Sequence, residues 1–64
     1  MKAKRIKNQS RVPIEVIMNE NEMKTSFRHV VLAPRNSIMV PYYSITDQVL
    51  ELARRKQIEI IDVN

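Results

Sequence analysis

The apolar residues of this 64-residue chain change period once. From residue 2 to 43 they mostly alternate with polar ones, the two-residue spacing of strands that bury one face. Val12, Ile14, Val16 and Met18 share a parity and define a strand. Asn19-Glu20-Asn21-Glu22 reads as a turn, and Met23 to Leu32 as the next strand, with Val30 and Leu32 inward. Phe27 and Val31 fall on the opposite parity, so that strand is expected to carry apolar area on both faces. Ala33-Pro34-Arg35-Asn36 has the composition of a tight turn, with Pro34 setting its own φ and Asn36 the candidate for positive φ. Ser37 to Tyr42 is a further strand, in which Pro41, lacking a donor, marks a strand end or a sheet edge. The chain has no glycine, so asparagine is expected to serve every left-handed position.

After residue 43 the period becomes 3.6. Ile45, Val49, Leu52 and Ala53 lie at i, i+4, i+7 and i+8, one stripe of a helix running from about Thr46 to Lys56. Thr46 or Ser44 can cap it, and Asp47 lies where the helix dipole favours an anion. Arg54, Arg55 and Lys56 occupy the last turn, where the dipole favours cations, and Glu51 and Arg55 have i, i+4 spacing. Gln57 to Val63 returns to alternation, although Ile61 and Val63 take the other parity from Ile58 and Ile60. That strand therefore bulges or meets something on its second face. A first strand over Ala3 to Asn8 is only weakly indicated. The reading is a single mainly β domain with one short helix (α+β), in the order β-β-β-β-α-β. Residues 1–11 form a basic N-terminal arm or edge strand, 12–43 β-hairpins, 45–56 the helix and 57–63 the final strand.

Size restricts the function. A chain of about 60 residues buries only ~60% of the surface it exposes when unfolded, so its own core gives marginal stability. Small domains usually add disulfides, a metal or a partner. With no cysteine and a single histidine, His29, the first two supports are excluded and a partner is expected. The acids Glu15, Glu20, Glu22, Asp47, Glu51, Glu59 and Asp62 are dispersed, without the spacing of a calcium loop. His29 and Ser26 would need an orienting group and a pocket to act as base and nucleophile, and a chain this small offers little volume for one. The expectation is a protein that is not an enzyme and has no cofactor. The longest apolar run, Val30 to Ala33, is far below the roughly 20 residues of a membrane helix, and a cytoplasmic origin is expected.

Charge is concentrated at one end. Lys2, Lys4, Arg5, Lys7 and Arg11 precede the first acid, Glu15, and the remaining six bases and seven acids nearly cancel. Such a segment can be a solvated edge strand whose lysines discourage aggregation, a clamp on an acidic protein surface, or a phosphate-binding element. No aromatic residue is interleaved with these bases, which weakens a single-strand stacking role. Arg54-Arg55-Lys56 could join the same patch, but their helix-terminal position is sufficient reason for them. Tyr42 and Tyr43, beside Pro41, are the only aromatic cluster. They either pack over the core edge or anchor an interface, and strand parity would put their rings on opposite faces. The candidate partner-binding residues are Lys2, Lys4, Arg5, Lys7, Arg11, Phe27, Tyr42 and Tyr43.

The stretch Val30-Val31-Leu32-Ala33-Pro34-Arg35-Asn36-Ser37-Ile38-Met39-Val40, followed by Ile45 through Ile60, resembles a pattern common in small structural proteins of tailed phages. Those proteins have a strand ending in Leu-Pro-Pro, a tight turn, a Ser-x-x-Val strand, a short helix and a final Ile- or Val-rich strand. The likeness spans residues 30–63, about half the chain, with Ala33 in place of the first Pro and Asn36 where Gly is usual. The resemblance implies a compact β-sandwich or small barrel, made in a host cytoplasm and located in the virion. There it would decorate or cement a capsid, or sit at the head–tail junction. On that reading the partner is a protein lattice, or further copies of the chain. Apolar residues left over on second strand faces (Ile17, Phe27, Val31 and Ile61) would meet it, with residues 1–11 as a clamp. The alternative reading is a small basic nucleic-acid-binding module or regulator, acting through residues 1–11 and Arg54 to Lys56 with steep salt dependence.

Overall fold

The basic segment at the start of the chain is a central strand. In the computed structural model, which describes residues 2–63, strand β1 (Ala3–Asn8) lies between β4 (Ser37–Pro41) and β5 (Ile58–Val63). Both pairings are antiparallel, and Ile6 is opposite Ile38 on one side and Ile60 on the other. This corrects the expectation of an arm or edge strand. One apolar residue suffices to fix the register here, because Ile6 is wholly buried and the flanking isoleucines supply the rest of the face. The second sheet is a two-stranded antiparallel hairpin of β2 (Ile14–Asn19) and β3 (Phe27–Leu32). A 3₁₀ turn (Tyr42–Ser44) and helix α1 (Asp47–Arg54) connect β4 to β5, and the helix packs against β2 and β5.

The fold is thus mainly β with one short helix, in the order expected from periodicity. The core gathers inward residues of both sheets and the helix: Ile6, Val40 and Ile58 from one sheet, Ile14, Val16, Met18 and Leu32 from the other, and Val49 from α1. Only β2 and β3 form a hairpin. The turn at Ala33–Asn36 carries the chain from one sheet to the other, because β4 pairs with β1 and not with β3. Val12 and Met23, read as strand residues, lie outside the ladders and are exposed. The β2 strand starts only after Pro13, and the Asn21 side chain closes the 21–25 turn by accepting from Thr25 N–H at 3.1 Å.

Asparagine does not take the left-handed positions. These belong to Lys24, Arg35 and Lys56, at φ 58°, 69° and 62°. Asn8, Asn19 and Asn21 are used instead as hydrogen-bonding side chains, and the strained positions fall on exposed residues whose long side chains reach solvent. At Lys56 the strain is set by how α1 ends. Lys56 N–H donates to Ala53 O and Gln57 N–H to Leu52 O, both at 3.0 Å, the paired bonds that close a helix through one left-handed residue. At the other end Thr46 caps the helix, its Oγ1 accepting from Val49 N–H at 3.3 Å.

Asn8 ties the sheets together. Its wholly buried side chain donates from Nδ2 to Val12 O at 2.8 Å and to Leu32 O at 3.0 Å. Its Oδ1 accepts from Ser10 N–H at 2.8 Å and Ser10 Oγ at 2.7 Å. Its main chain also donates to Asn36 O and accepts from Arg35 N–H. Asn8→Ala would remove all four bonds of this buried carboxamide, including those that tie Val12 and Leu32 to β1, so it should cost about 3 kcal/mol. That is a large share of the roughly 3–10 kcal/mol expected for a chain of this size. Urea unfolding should show this as a lower midpoint at unchanged slope. Lys56→Gly should act oppositely and raise stability by about 1 kcal/mol in the same assay, since glycine enters the left-handed region without the Cβ penalty.

Candidate partner-binding surfaces

The outer face of the three-stranded sheet follows from the register. Residues with odd numbers in β1 point away from the core, together with their partners on either side. Ala3 lies between Pro41 and Val63, Arg5 between Met39 and Ile61, and Lys7 between Ser37 and Glu59. Met39 is 55% exposed and Ile61 38%, and Arg5 is exposed between them. The second parity of Ile61 and Val63, noted in the sequence, is that of this open face. β5 pairs with β1 in continuous register over its whole length, so it carries no bulge. An apolar strip crossed by one central cation and bordered by polar groups has the composition of a protein interface, where arginine, methionine and aliphatic area are favoured.

The five N-terminal cations do not converge. Lys4 has the same parity as Ile6 and Asn8, is half-buried, and pairs with the Asp62 carboxylate opposite it on β5. The hydrogen bond and charge of Lys4, with a smaller contribution from Lys2, hold the Asp62 carboxyl below the usual carboxylate range. Arg5 and Lys7 share the outer face, whereas Lys2 precedes the strand and Arg11 is exposed in the loop after it.

The aromatic candidates lie elsewhere. Phe27 starts β3 and is 58% exposed on the other sheet. Tyr42 and Tyr43 sit in the 3₁₀ turn, not in a strand, and their rings meet edge-to-face at 5.6 Å and 79°. The expectation that they occupy opposite faces fails because the chain leaves β geometry after Pro41, where strand parity ends. His29 and Ser26 are not brought together: His29 Nδ1 lies 3.3 Å from Glu15 Oε2, and Ser26 donates to Glu20 Oε1 at 2.8 Å. A cleft of about 480 Å³ opens between the hairpin, at Met18 and Arg28, and β4, at Ile38 and Val40. Among the described residues no cluster of three or more His, Asp or Glu could hold a metal ion, and no helix is long and apolar enough to cross a membrane.

The edges of the hairpin sheet are treated unequally. Ser44 Oγ donates to Asn19 O at 3.0 Å, and Thr46 Oγ1 to Ile17 O at 2.6 Å. The Gln48 carboxamide accepts from Ile17 N–H at 3.1 Å and donates to Glu15 O at 3.0 Å. Three side chains two residues apart thus stand in for a missing neighbour strand along β2. Their Ser-x-Thr-x-Gln spacing is visible in the sequence, where the Ser and Thr were read only as helix caps. Asn8, equally unforeseen, could have been found as a polar residue on the parity of Ile6.

Comparison with protein-family models, with curated proteins and with solved structures finds no match to this chain.

The Lys4–Asp62 pair has a pH signature. Because folding lowers the Asp62 pKa, its contribution is complete at neutral pH and is lost as pH falls through the depressed value. Asp62→Asn should therefore be less stable than the parent at neutral pH, and the two should converge in acid. Urea unfolding at several pH values reads the difference, which should also shrink in high salt because the pair is exposed.

Proposed function

We propose that this chain is a non-enzymatic interaction protein. In the reading we favour it is an auxiliary component of a phage particle that binds the capsid lattice through the outer face of its three-stranded sheet. The observation that carries the binding role is the row Met39–Arg5–Ile61, apolar area left in solvent on either side of a cation in the middle of a rigid sheet. A central strand holds these residues at fixed spacing, so little backbone ordering is needed on docking. The phage setting rests on the resemblance carried by residues 30–63. An acidic protein surface suits the face better than nucleic acid does. Lys4 is engaged by Asp62 and Lys7 stands opposite Glu59, so the cations do not form the continuous track that follows a phosphate backbone.

Particles of the phage encoding the chain should contain it as a band near 7.6 kDa. Its incorporation should fall at least about tenfold with the paired changes Arg5→Glu and Ile61→Asp, the loss expected when central interface residues are removed. Particles without the band would remove the capsid assignment. In a gel mobility assay with DNA or RNA at low salt, no shift is expected. A salt-sensitive shift abolished by Arg5→Glu and Lys7→Glu would establish the nucleic-acid reading instead.

A further inference from the structure

The outer edge of β3 is a second surface, separate from the proposed capsid-binding face. The bonds from Ser44, Thr46 and Gln48 use the main chain of Glu15, Ile17 and Asn19, so these odd residues of β2 point away from β3. In an antiparallel ladder such roles alternate. Ile14, Val16 and Met18 therefore exchange bonds with Leu32, Val30 and Arg28, as does the next pair, where Glu20 N–H donates to Ser26 O at 2.9 Å. It follows that Phe27, His29 and Val31 turn their N–H and C=O groups to the open side of the hairpin.

Two other strand edges in the molecule are blunted in ways that hinder strand addition. β2 is covered by the side chains from residues 44 to 48, and β4 is short and ends in Pro41, which has no N–H. β3 has no lysine, no proline and no bulge, and its Arg28 lines the cleft on the core side. It carries instead two of the most exposed large apolar residues of the chain, Phe27 at 58% and Val31 at 64%.

We propose that β3 pairs with β3 of a second copy, antiparallel about a two-fold axis at His29, to form a four-stranded sheet across a homodimer. The strand is self-complementary at this register and no other uses the edge as fully. With the axis at His29, each outward-facing residue meets another, Phe27 against Val31 of the second copy and His29 against its own counterpart. Phe27 and Val31 then form an aromatic–β-branched pair on each side of the axis, a favourable cross-strand combination. Arg28 falls opposite Val30 of the second copy, so no arginine faces another. Each His29 stays beside its own Glu15 carboxylate at 3.3 Å. The pairing also completes a sheet that is a two-stranded ribbon within one chain, the least stable kind of sheet.

Sedimentation equilibrium over a concentration series tests this directly. The mass should rise to twice 7.6 kDa in the parent. Val31→Pro should weaken association at least tenfold, removing an N–H that points to the free edge while leaving the β2 ladder intact. His29→Lys should weaken it in the same direction by opposing two lysines at the axis; it serves if the proline variant loses its circular-dichroism signature. Because the chain has no cysteine, a short bis-maleimide should join two copies of His29→Cys, whose Cα atoms would lie about 5.5 Å apart. It should not join two copies of Lys7→Cys, on the other sheet. A parent that stays monomeric to its solubility limit would overturn the proposal. So would a dimer that cross-links equally at both positions or that is unaffected by both edge variants.

Discussion

The carboxamide of Asn8 sits, wholly buried, where the last residue of β1, the loop at Ser10 and Val12, and the end of β3 meet. Its side-chain bonds join the loop at Ser10 and Val12 to the end of β3, and its main chain holds the start of β4 through Asn36 and Arg35. The sheets share no main-chain pairing between strands. What orients one against the other is the apolar core between them and this polar clamp at one end. A buried polar group costs stability unless every bond is made, and here every one is. Among the described residues no buried side-chain nitrogen or oxygen is left without a partner.

Once β1 is fixed at the centre of its sheet, the availability of surfaces follows. Alternation sends Lys4, Ile6 and Asn8 one way and Arg5 and Lys7 the other, so a run of bases contiguous in sequence is divided between a surface ion pair, Lys4 with Asp62, and an open face. The same logic governs the hairpin. Side chains from the segment leading into α1 occupy one edge, and the opposite edge is left with its hydrogen-bonding groups free. The chain thus leaves two distinct surfaces in solvent, the outer face of the three-stranded sheet and the free edge of β3.

Much of the element order was legible because periodicity reports burial. The switch at residue 43 marks the end of the β region, and the 45–53 stripe, the Thr46 cap and Pro41 at an edge strand's end all appear in the structure. Residues 3–8 were harder to place. With one large apolar residue among three bases, the rest of the inward face is supplied by Ile38 and Ile60, distant in sequence, and a local pattern carries no record of them. The turn at 33–36 was recognised, but whether it joins strands of one sheet or two is decided by long-range pairing. Its left-handed residue is Arg35, since Asn36 is held by its bonds to Asn8 and Ala33. Of the candidate site, Arg5 and Lys7 share one face, whereas Phe27 and the two tyrosines lie on other elements. The ladder formed by residues 44, 46 and 48 was hidden because its acceptors lie some 30 residues away.

The claim on which the rest stands is that the basic N-terminal segment is the central strand of the fold. Native-state amide hydrogen exchange measures it directly, because central-strand amides open only with global unfolding while a mobile arm exchanges freely. The amides of Arg5, Ile6, Lys7 and Asn8 should be protected to the same free energy as the core amide of Val16. Exchange of those four at the rate of an unstructured chain, with Val16 still protected, would contradict the account.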